Sequence, residues 1–219
     1  MILTVQILLT AVLFFSGCGP QTTFKFEDQL PGDAKKILIV YLSRTNNTRT
    51  IAEYIHSRVG GKRVALELID PYPENYQATV EQVKKENETN FLPPLKTRIA
   101  NIQNFDFVFI GFPTWGMQVP PPVKTFLHQY NLKGKTVIPF NTNAGYGVGS
   151  SFQAINELCS GSKVLEGFSI KGGMEKEGKL LVIKGRKAKD AQAKVDLWLK
   201  KIGMLSSAPG VSTKFGKYK

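Results

Sequence analysis

Residues 37–48 read ILIVYLSRTNNT, an apolar run followed directly by short hydroxyl and amide side chains. An apolar run without polar interruption predicts a strand with both faces covered, as in a parallel sheet. A helical pattern begins at about Thr48, so the polar cluster lies between a strand and a helix N-terminus. Because hydroxyls and loop amides donate hydrogen bonds and a helix N-terminus carries partial positive charge, this junction suits a phosphate monoester. Helix capping by Asn46, Asn47 or Thr48 needs no ligand, but it explains one such residue better than the whole cluster.

Strand and helix patterns alternate along the chain, which predicts parallel strands joined by crossover helices. Five strands are predicted at residues 37–42, 63–69, 107–112, 136–140 and 164–170. Five helices are predicted at about residues 48–59, 76–89, 123–130, 150–159 and 187–202. Pro139 argues against a central position for the fourth strand, unless it lies at a strand end or a bulge. The pattern predicts an α/β fold in three layers, with helices on both faces of an open five-stranded parallel sheet.

Several kinds of site are not supported by the sequence. The phosphate-cleaving loop G-x-x-x-x-G-K-[ST] is absent, so residues 43–48 are suited to hold a phosphate and not to cleave it. No G-x-G-x-x-G fingerprint follows the first strand, which argues against a tightly held NAD or FAD. His56 and His128 stand alone, so no metal site is predicted. Cys159 follows a helical pattern and is expected to be a buried small hydrophobe. If Cys18, the other cysteine, is lipidated, Cys159 has no disulfide partner.

Three loops carry a resemblance to a known family. Residues 43–48 match the S-x-T-x-N-T phosphate loop of flavodoxins, which bind FMN. An aromatic loop, GFPTWG at residues 111–116, and a polar loop, NTNAGYG at residues 141–147, follow two later predicted strands. The segment PYPENY at residues 71–76 is similar to one found in a bacterial branch of the family. The resemblance covers roughly residues 35–203 and implies a doubly wound sheet of strand order 2-1-3-4-5, with the ligand near the switch between strands one and three.

The resemblance also implies FMN as the cofactor and assigns residues to it. The residues expected around the phosphate are Ser43, Arg44, Thr45, Asn46, Asn47 and Thr48. The residues expected along the flavin ring are Pro113, Thr114, Trp115, Gly116, Thr142, Asn143, Ala144, Gly145, Tyr146 and Gly147. An exposed indole at a strand end is unfavourable unless it covers something, so Trp115 is expected to stack on the ring. The alternative is a tryptophan that belongs to the core or to a lid.

The N-terminus has the pattern of an export signal. Residues 1–17 contain no charged side chain and are mostly apolar, but they are too few for a comfortable membrane span. The segment FSGC at residues 15–18 resembles the lipobox of bacterial lipoproteins, which implies a signal peptide over 1–17 and lipidation of Cys18. Residues 18–34 would then form a tether that anchors the protein in the bacterial cell envelope, facing the periplasm or the exterior. The alternatives are an ordinary signal peptide, or an apolar strand with a chance cysteine.

The net charge of +12 is concentrated in the last quarter of the chain. Residues 163–219 contain 14 Lys or Arg against 5 Asp or Glu, whereas residues 1–162 contain 15 against 12. One interpretation is a solvated helix face with a disordered basic tail over residues 204–219. The other is a contact surface for an acidic partner or for anionic lipid. Nucleic acid is not favoured, because no stripe of basic and aromatic residues is present.

The resemblance implies a protein that carries electrons between redox partner proteins through FMN. The alternative is an FMN-dependent reductase that oxidises NAD(P)H and reduces a quinone or another small acceptor. The chain is near the minimal length of the fold and has no large insertion to build a substrate pocket, which favours the carrier, and no catalytic residue is predicted. A third possibility is a lipid-anchored binding module without flavin, which the three intact loops disfavour.

Overall fold

The computed structural model describes residues 36–206. The predicted signal peptide, Cys18, the tether and most of the predicted basic tail lie outside these residues. The strands are β1 Ile37–Tyr41, β2 Lys62–Ala65, β3 Phe107–Pro113, β4 Thr136–Asn143, β5 Lys163–Val164 and β6 Phe168–Lys171. The helices are α1 Asn47–Val59, α2 Tyr76–Glu88, α3 Pro121–Gln129, α4 Ser151–Leu158 and α5 Arg186–Lys201. Short 3-10 turns occupy Ile102–Asn104 and Glu175–Glu177.

The strands form one parallel sheet in the order β2-β1-β3-β4, with β5 and β6 both paired to the far side of β4. This confirms the predicted parallel α/β fold and the order 2-1-3-4-5. The fifth strand differs from its prediction, because residues 165–167 interrupt it and leave two short strands in succession. The second strand is also shorter than predicted and ends at Ala65.

Pro139 lies in the middle of the central strand β4, opposite Ile110 of β3, so the expectation that it would avoid such a position is wrong. The carbonyl of Val137 accepts a hydrogen bond from the N–H of Leu165 on the β5 side at 2.9 Å. Because alternate residues of a strand face the same neighbour, the nitrogen of Pro139 also faces that side. The donor that proline lacks therefore falls where β5 has already ended.

Apolar side chains pack on both faces of the sheet and give the predicted three layers. One face is covered by α1 and α5, whose buried residues include Ile55, Val195 and Leu199. The other face is covered by α3 and α4, through residues such as Phe126 and Ile155. Cys159 packs there at 4% exposure, and burial raises the pKa of its thiol to about 11.

The chain continues to pack after α5. Met204 is 5% exposed within the core, although the sequence assigns it to the tail. Within residues 36–206, no helix is long and apolar enough to cross a membrane. The same residues contain no cluster of three or more His, Cys, Asp or Glu side chains that could hold a metal ion.

Candidate functional site

The three loops singled out in the sequence meet at one edge of the sheet. They follow β1, β3 and β4, which are neighbours, so their carboxyl ends lie side by side. One cavity is lined by residues of all three loops and of two further segments: Arg44, Thr45, Asn47, Thr48, Tyr76, Pro113, Thr114, Trp115, Thr142, Asn143, Ala144, Gly172, Gly173 and Glu175. Ten of the sixteen residues predicted for the cofactor therefore share one space, which we call the central cavity.

The turn between β1 and α1 leaves a row of unused backbone donors. Asn46 adopts a left-handed conformation at φ 62°, and α1 begins at the next residue. Within residues 36–206, no acceptor pairs with the amide N–H groups of residues 44–48. The next amide, that of Arg49, donates to the Ser43 hydroxyl at 3.2 Å. Free N–H groups at a helix N-terminus attract an anion, so the loop has the donors that a phosphate needs.

The side chain of Asn47 has a structural task. It is 2% exposed, and its amide group donates to the Thr45 hydroxyl at 2.9 Å and to the Leu180 carbonyl at 2.6 Å. Its oxygen accepts from the backbone N–H groups of Val182 and Ile183 at 3.0 and 3.1 Å. Since each polar atom of the side chain is engaged, Asn47 ties the phosphate loop to the segment before α5 and leaves ligand contacts to its backbone.

The three hydroxyls of the loop have different surroundings. Thr45 lines the central cavity, and its oxygen accepts from Asn47. No acceptor among residues 36–206 takes the hydrogen of its hydroxyl, which can therefore be donated to a ligand. The Thr48 hydroxyl is buried and bonds that of Thr142 at 2.8 Å, which joins the first and third loops. Ser43 lines a separate cavity on the side of β2, and Asn46 lines a further one. Of the three, Thr45 is the hydroxyl best placed to meet a phosphate.

Arg44 is held by protein acceptors. Its Nε pairs with the carboxylate of Glu175 at 2.7 Å, and the other guanidinium nitrogens donate to the carbonyls of Pro73 and Glu74 at 2.9 and 2.7 Å. Both members of the ion pair line the central cavity. The guanidinium therefore neutralises a carboxylate that would otherwise repel an anion there, and it fastens the loop to the segment before α2.

The segment after β6 also belongs to the site, although its sequence did not predict this. The Cβ that an alanine would add at Gly172 falls 3.2 Å from the Cβ of Asn47, and one at Gly173 falls 2.0 Å from the Leu180 carbonyl oxygen. The segment therefore needs glycine to fold against the phosphate loop. A Gly-Gly pair one residue after the predicted strand 164–170 was the available signal, whereas nothing in the sequence links Glu175 to Arg44.

Trp115 combines the two roles considered for it. It packs against the core on one side and lines the central cavity on the other. The ring of Tyr72 meets it edge to face, with centroids 5.3 Å apart and planes at 85°. The Tyr72 hydroxyl donates to the buried carboxylate of Glu86, and burial, followed by this carboxylate, raises the pKa of Tyr72. An anchored tyrosine therefore fixes the orientation of the indole.

A second cavity of about 490 Å³ opens beside Trp115, between α2 and the aromatic loop. It shares Arg44, Thr114 and Glu175 with the central cavity, and Gly116 lines it. Its apolar wall is formed by Val80 and Val83 of α2. The site is therefore a cleft in two parts, and Trp115 stands between them.

The polar loop is braced from within by Asn143. The oxygen of its side chain accepts from the N–H groups of Gly145 and Gly147 at 2.8 and 3.3 Å, so these amides are already paired. Gly145, Tyr146 and Gly147 do not line the central cavity, and Tyr146 is 73% exposed. The loop reaches the cavity through Thr142, Asn143 and Ala144.

Comparison with known proteins agrees with this arrangement. The sequence profile of the flavodoxin family matches residues 36–182, about two thirds of the chain. The chain belongs to the flavodoxin family. No protein in a curated collection matches this flavodoxin.

Solved structures give the same fold. A protein of Bacteroides eggerthii assigned as a flavoprotein is 27% identical, with a TM-score of 0.62 over 77% of this flavodoxin and 98% of that chain. A flavoprotein of Lactobacillus acidophilus, solved in complex with FMN, is 26% identical, with a TM-score of 0.56 over 63% and 93% of the two chains. A further protein of Bacteroides uniformis is 22% identical at a TM-score of 0.58 over 65% and 94%, and it supports the fold alone.

Proposed function

We propose that this flavodoxin binds one FMN non-covalently and carries electrons between redox partner proteins. The observation that carries the proposal is the row of amide N–H groups at residues 44–48, for which residues 36–206 provide no acceptor. This row lies where three loops meet at the carboxyl edge of the sheet. The complex of the Lactobacillus acidophilus flavoprotein with FMN supports the identity of the cofactor. Bound FMN would supply one- and two-electron redox chemistry.

The residues of the cleft fit FMN. The amides of residues 44–48 and the Thr45 hydroxyl would hold the phosphate, and Arg44 would keep Glu175 neutralised beside it. Trp115 and the backbone of its loop would hold the ring, since the indole faces the cavity and is braced by Tyr72. The half-buried cleft would keep water from one side of the ring.

A flavin titration tests the cofactor. Adding the purified protein to micromolar FMN should quench the flavin emission with a stoichiometry of one. Riboflavin should bind more weakly, because it lacks the phosphate that the free amides would hold. Unchanged emission at micromolar FMN would exclude the proposal, and equal affinity for both ligands would exclude the assigned phosphate site.

Thr45→Ala should weaken FMN binding about tenfold, since it removes one hydrogen bond to a charged group. Riboflavin affinity should change much less, because riboflavin lacks the phosphate that the hydroxyl would bind. The matched control is Thr50→Ala, whose hydroxyl donates to the Asn46 carbonyl outside the cavity. Fluorescence titrations of both ligands measure the effect, and a loss shared by FMN and riboflavin would argue against a phosphate contact.

Trp115→Ala should weaken FMN and riboflavin alike, by about 1–3 kcal/mol, because both ligands carry the ring that the indole covers. Flavin emission should also be quenched less in the complex. Tyr146→Ala is the control, since this aromatic side chain of the neighbouring loop does not line the cavity. Unchanged affinity for both ligands would make Trp115 a packing residue only.

One observation favours a second candidate function, that of an FMN-dependent reductase acting on NAD(P)H and a quinone-like acceptor. The 490 Å³ cavity beside Trp115 offers space next to the proposed cofactor site, although the sequence has no large insertion. Steady-state oxidation of NAD(P)H in the presence of a benzoquinone distinguishes the two. Turnover at enzymatic rates would favour the reductase, and a stable reduced flavin without turnover would favour the carrier.

We also propose that the protein is a lipoprotein of the bacterial cell envelope, anchored through Cys18. The support is the uncharged apolar leader that ends in Ser16, Gly17 and Cys18. Several acyl chains anchor a protein stably, whereas one binds only marginally. Cys18→Ser should move the protein from the membrane fraction to the soluble fraction, or block its processing, as read by fractionation and gel mobility. A variant that fractionates and migrates like the parent would contradict the anchor.

A further inference from the structure

Beside the central cavity lies a groove rimmed by lysines. Lys171, Lys179, Lys187 and Lys194 line a space of about 600 Å³ between the end of β6, the following segment and α5. The floor of this basic groove is apolar and includes Val182, Ile183 and Ala191. Its lysine side chains belong to exposed residues, whereas Ile183 and Ala191 are buried.

Few of these positive charges are neutralised by the protein. Lys179 pairs with Glu177 at 2.7 Å, but within residues 36–206 no carboxylate lies within ion-pair distance of Lys171, Lys187 or Lys194. Residues 171–201 contain ten Lys or Arg against four Asp or Glu. The hydrogen bond and charge of Lys179, followed by Lys171 and Lys176, lower the pKa of Glu177. The groove therefore has a positive potential that extends beyond its single ion pair.

The groove is structurally continuous with the proposed cofactor site. Gly172 lines both spaces. Val182 and Ile183 of the floor donate their N–H groups to Asn47 of the phosphate loop. Only a single layer of residues, which includes Gly172, would therefore separate a protein bound in the groove from the central cavity.

We propose that the basic groove is the docking surface for an acidic redox partner protein. Charge complementarity carries the assignment, because opposite potentials steer two proteins together and fix their orientation. The apolar floor would add the desolvated centre that stable protein interfaces have. This inference names the partner class of the electron carrier and so rests on the proposed function.

The shape of the groove favours a protein over anionic lipid. The lysines surround a concavity, which a projecting side chain can enter and a flat layer of head groups cannot. Glu177 and Asp190 also stand on the rim. These carboxylates would repel an anionic membrane, but they can pair with basic residues of a partner and thereby set its register.

Two redox proteins serve as probes: an acidic plant-type ferredoxin and the basic cytochrome c, each labelled for fluorescence anisotropy. The purified flavodoxin should bind the ferredoxin at low ionic strength and lose it in salt, and it should not bind cytochrome c. Lys187→Glu with Lys194→Glu should weaken ferredoxin binding about tenfold or more. The control, Lys133→Glu with Lys163→Glu, makes the same charge change at the amino ends of the strands and should have a much smaller effect.

Equal losses in the two double variants would overturn the proposal, because net charge alone would then explain binding. It would also be overturned if ferredoxin failed to bind while phosphatidylglycerol vesicles bound with the same dependence on Lys187 and Lys194. Anisotropy needs no flavin, so it tests whether the basic groove binds ferredoxin even if the protein does not bind FMN. If FMN binds and reduced ferredoxin passes electrons to it, the Lys187 and Lys194 variant should slow this transfer about tenfold without changing FMN affinity.

Discussion

Replacing Asn47 by alanine will lower the free energy of unfolding of the flavin-free protein by about 3–4 kcal/mol. The change leaves the backbone N–H groups of Val182 and Ile183 and the carbonyl of Leu180 without their partner. A buried polar group left unpaired costs about 1–3 kcal/mol, which applies in full to the amide of Ile183, a residue only 3% exposed. The part-buried groups of Leu180 and Val182 contribute the remainder. Chemical denaturation followed by circular dichroism measures the loss.

Hydrogen exchange gives a local test of the same change. The amides of Val182 and Ile183 should lose protection from exchange in Asn47→Ala. If they stay protected, their hydrogen bonds to Asn47 do not stabilise the segment before α5. The control is Asn46→Gly, which removes an exposed side chain at a left-handed position that glycine adopts freely, and it should change stability by less than about 0.5 kcal/mol. Asn47→Asp keeps the accepting oxygen and should retain more stability than Asn47→Ala, but its charge should weaken FMN more than riboflavin.

Gly111→Ala should destabilise the protein by about 3 kcal/mol or more, because the centre of the sheet has no room for a methyl group. The added Cβ would fall 2.1 Å from Cζ of Phe140, a residue on the neighbouring strand β4 that is 0% exposed. The ring cannot turn away without displacing other buried side chains. Thermal and urea denaturation should both register the loss.

A second substitution shows whether the overlap with Phe140 is the cause. Phe140→Leu removes the ring atoms in question, so Gly111→Ala should cost less in that background than alone. Gly134→Ala is the comparison without overlap: no atom lies within 4 Å of its added Cβ, and only its φ of 79° opposes alanine. A cost near 1 kcal/mol is expected there. Strictly additive losses at Gly111 and Phe140 would mean that the methyl group disturbs something else.

The parts of the fold that the sequence predicted are those governed by local pattern. The run at residues 37–42 and the helical pattern after the polar cluster predicted β1 and α1 almost to the residue. The strand order came from the family resemblance and agrees with the pairing. The expectation for Pro139 was wrong because proline is excluded from a central strand only where a neighbouring strand needs its N–H. The gap between β5 and β6 leaves no strand residue paired to that side of Pro139.

The parts of the site that were missed depend on contacts between distant segments. Arg44 and Glu175 are 131 residues apart, and no local sequence pattern predicts their ion pair. The motif assigned the side chain of Asn47 to the phosphate. Three of its side-chain hydrogen bonds are instead made to Leu180, Val182 and Ile183, more than 130 residues away. The brace of Trp115 by Tyr72 likewise exists only after the loops have come together.

The interruption between β5 and β6 also affects how separate molecules behave towards one another. An uninterrupted, exposed edge strand offers its unpaired N–H and carbonyl groups to the edge of another molecule and can start aggregation. Here that side of the sheet carries strands of only two and four residues, with exposed Lys163 and Lys171 at its two ends. Short strands and lysines are the means by which natural sheets resist such pairing. The broken strand that accommodates Pro139 therefore also keeps neighbouring molecules from joining edge to edge when they are crowded.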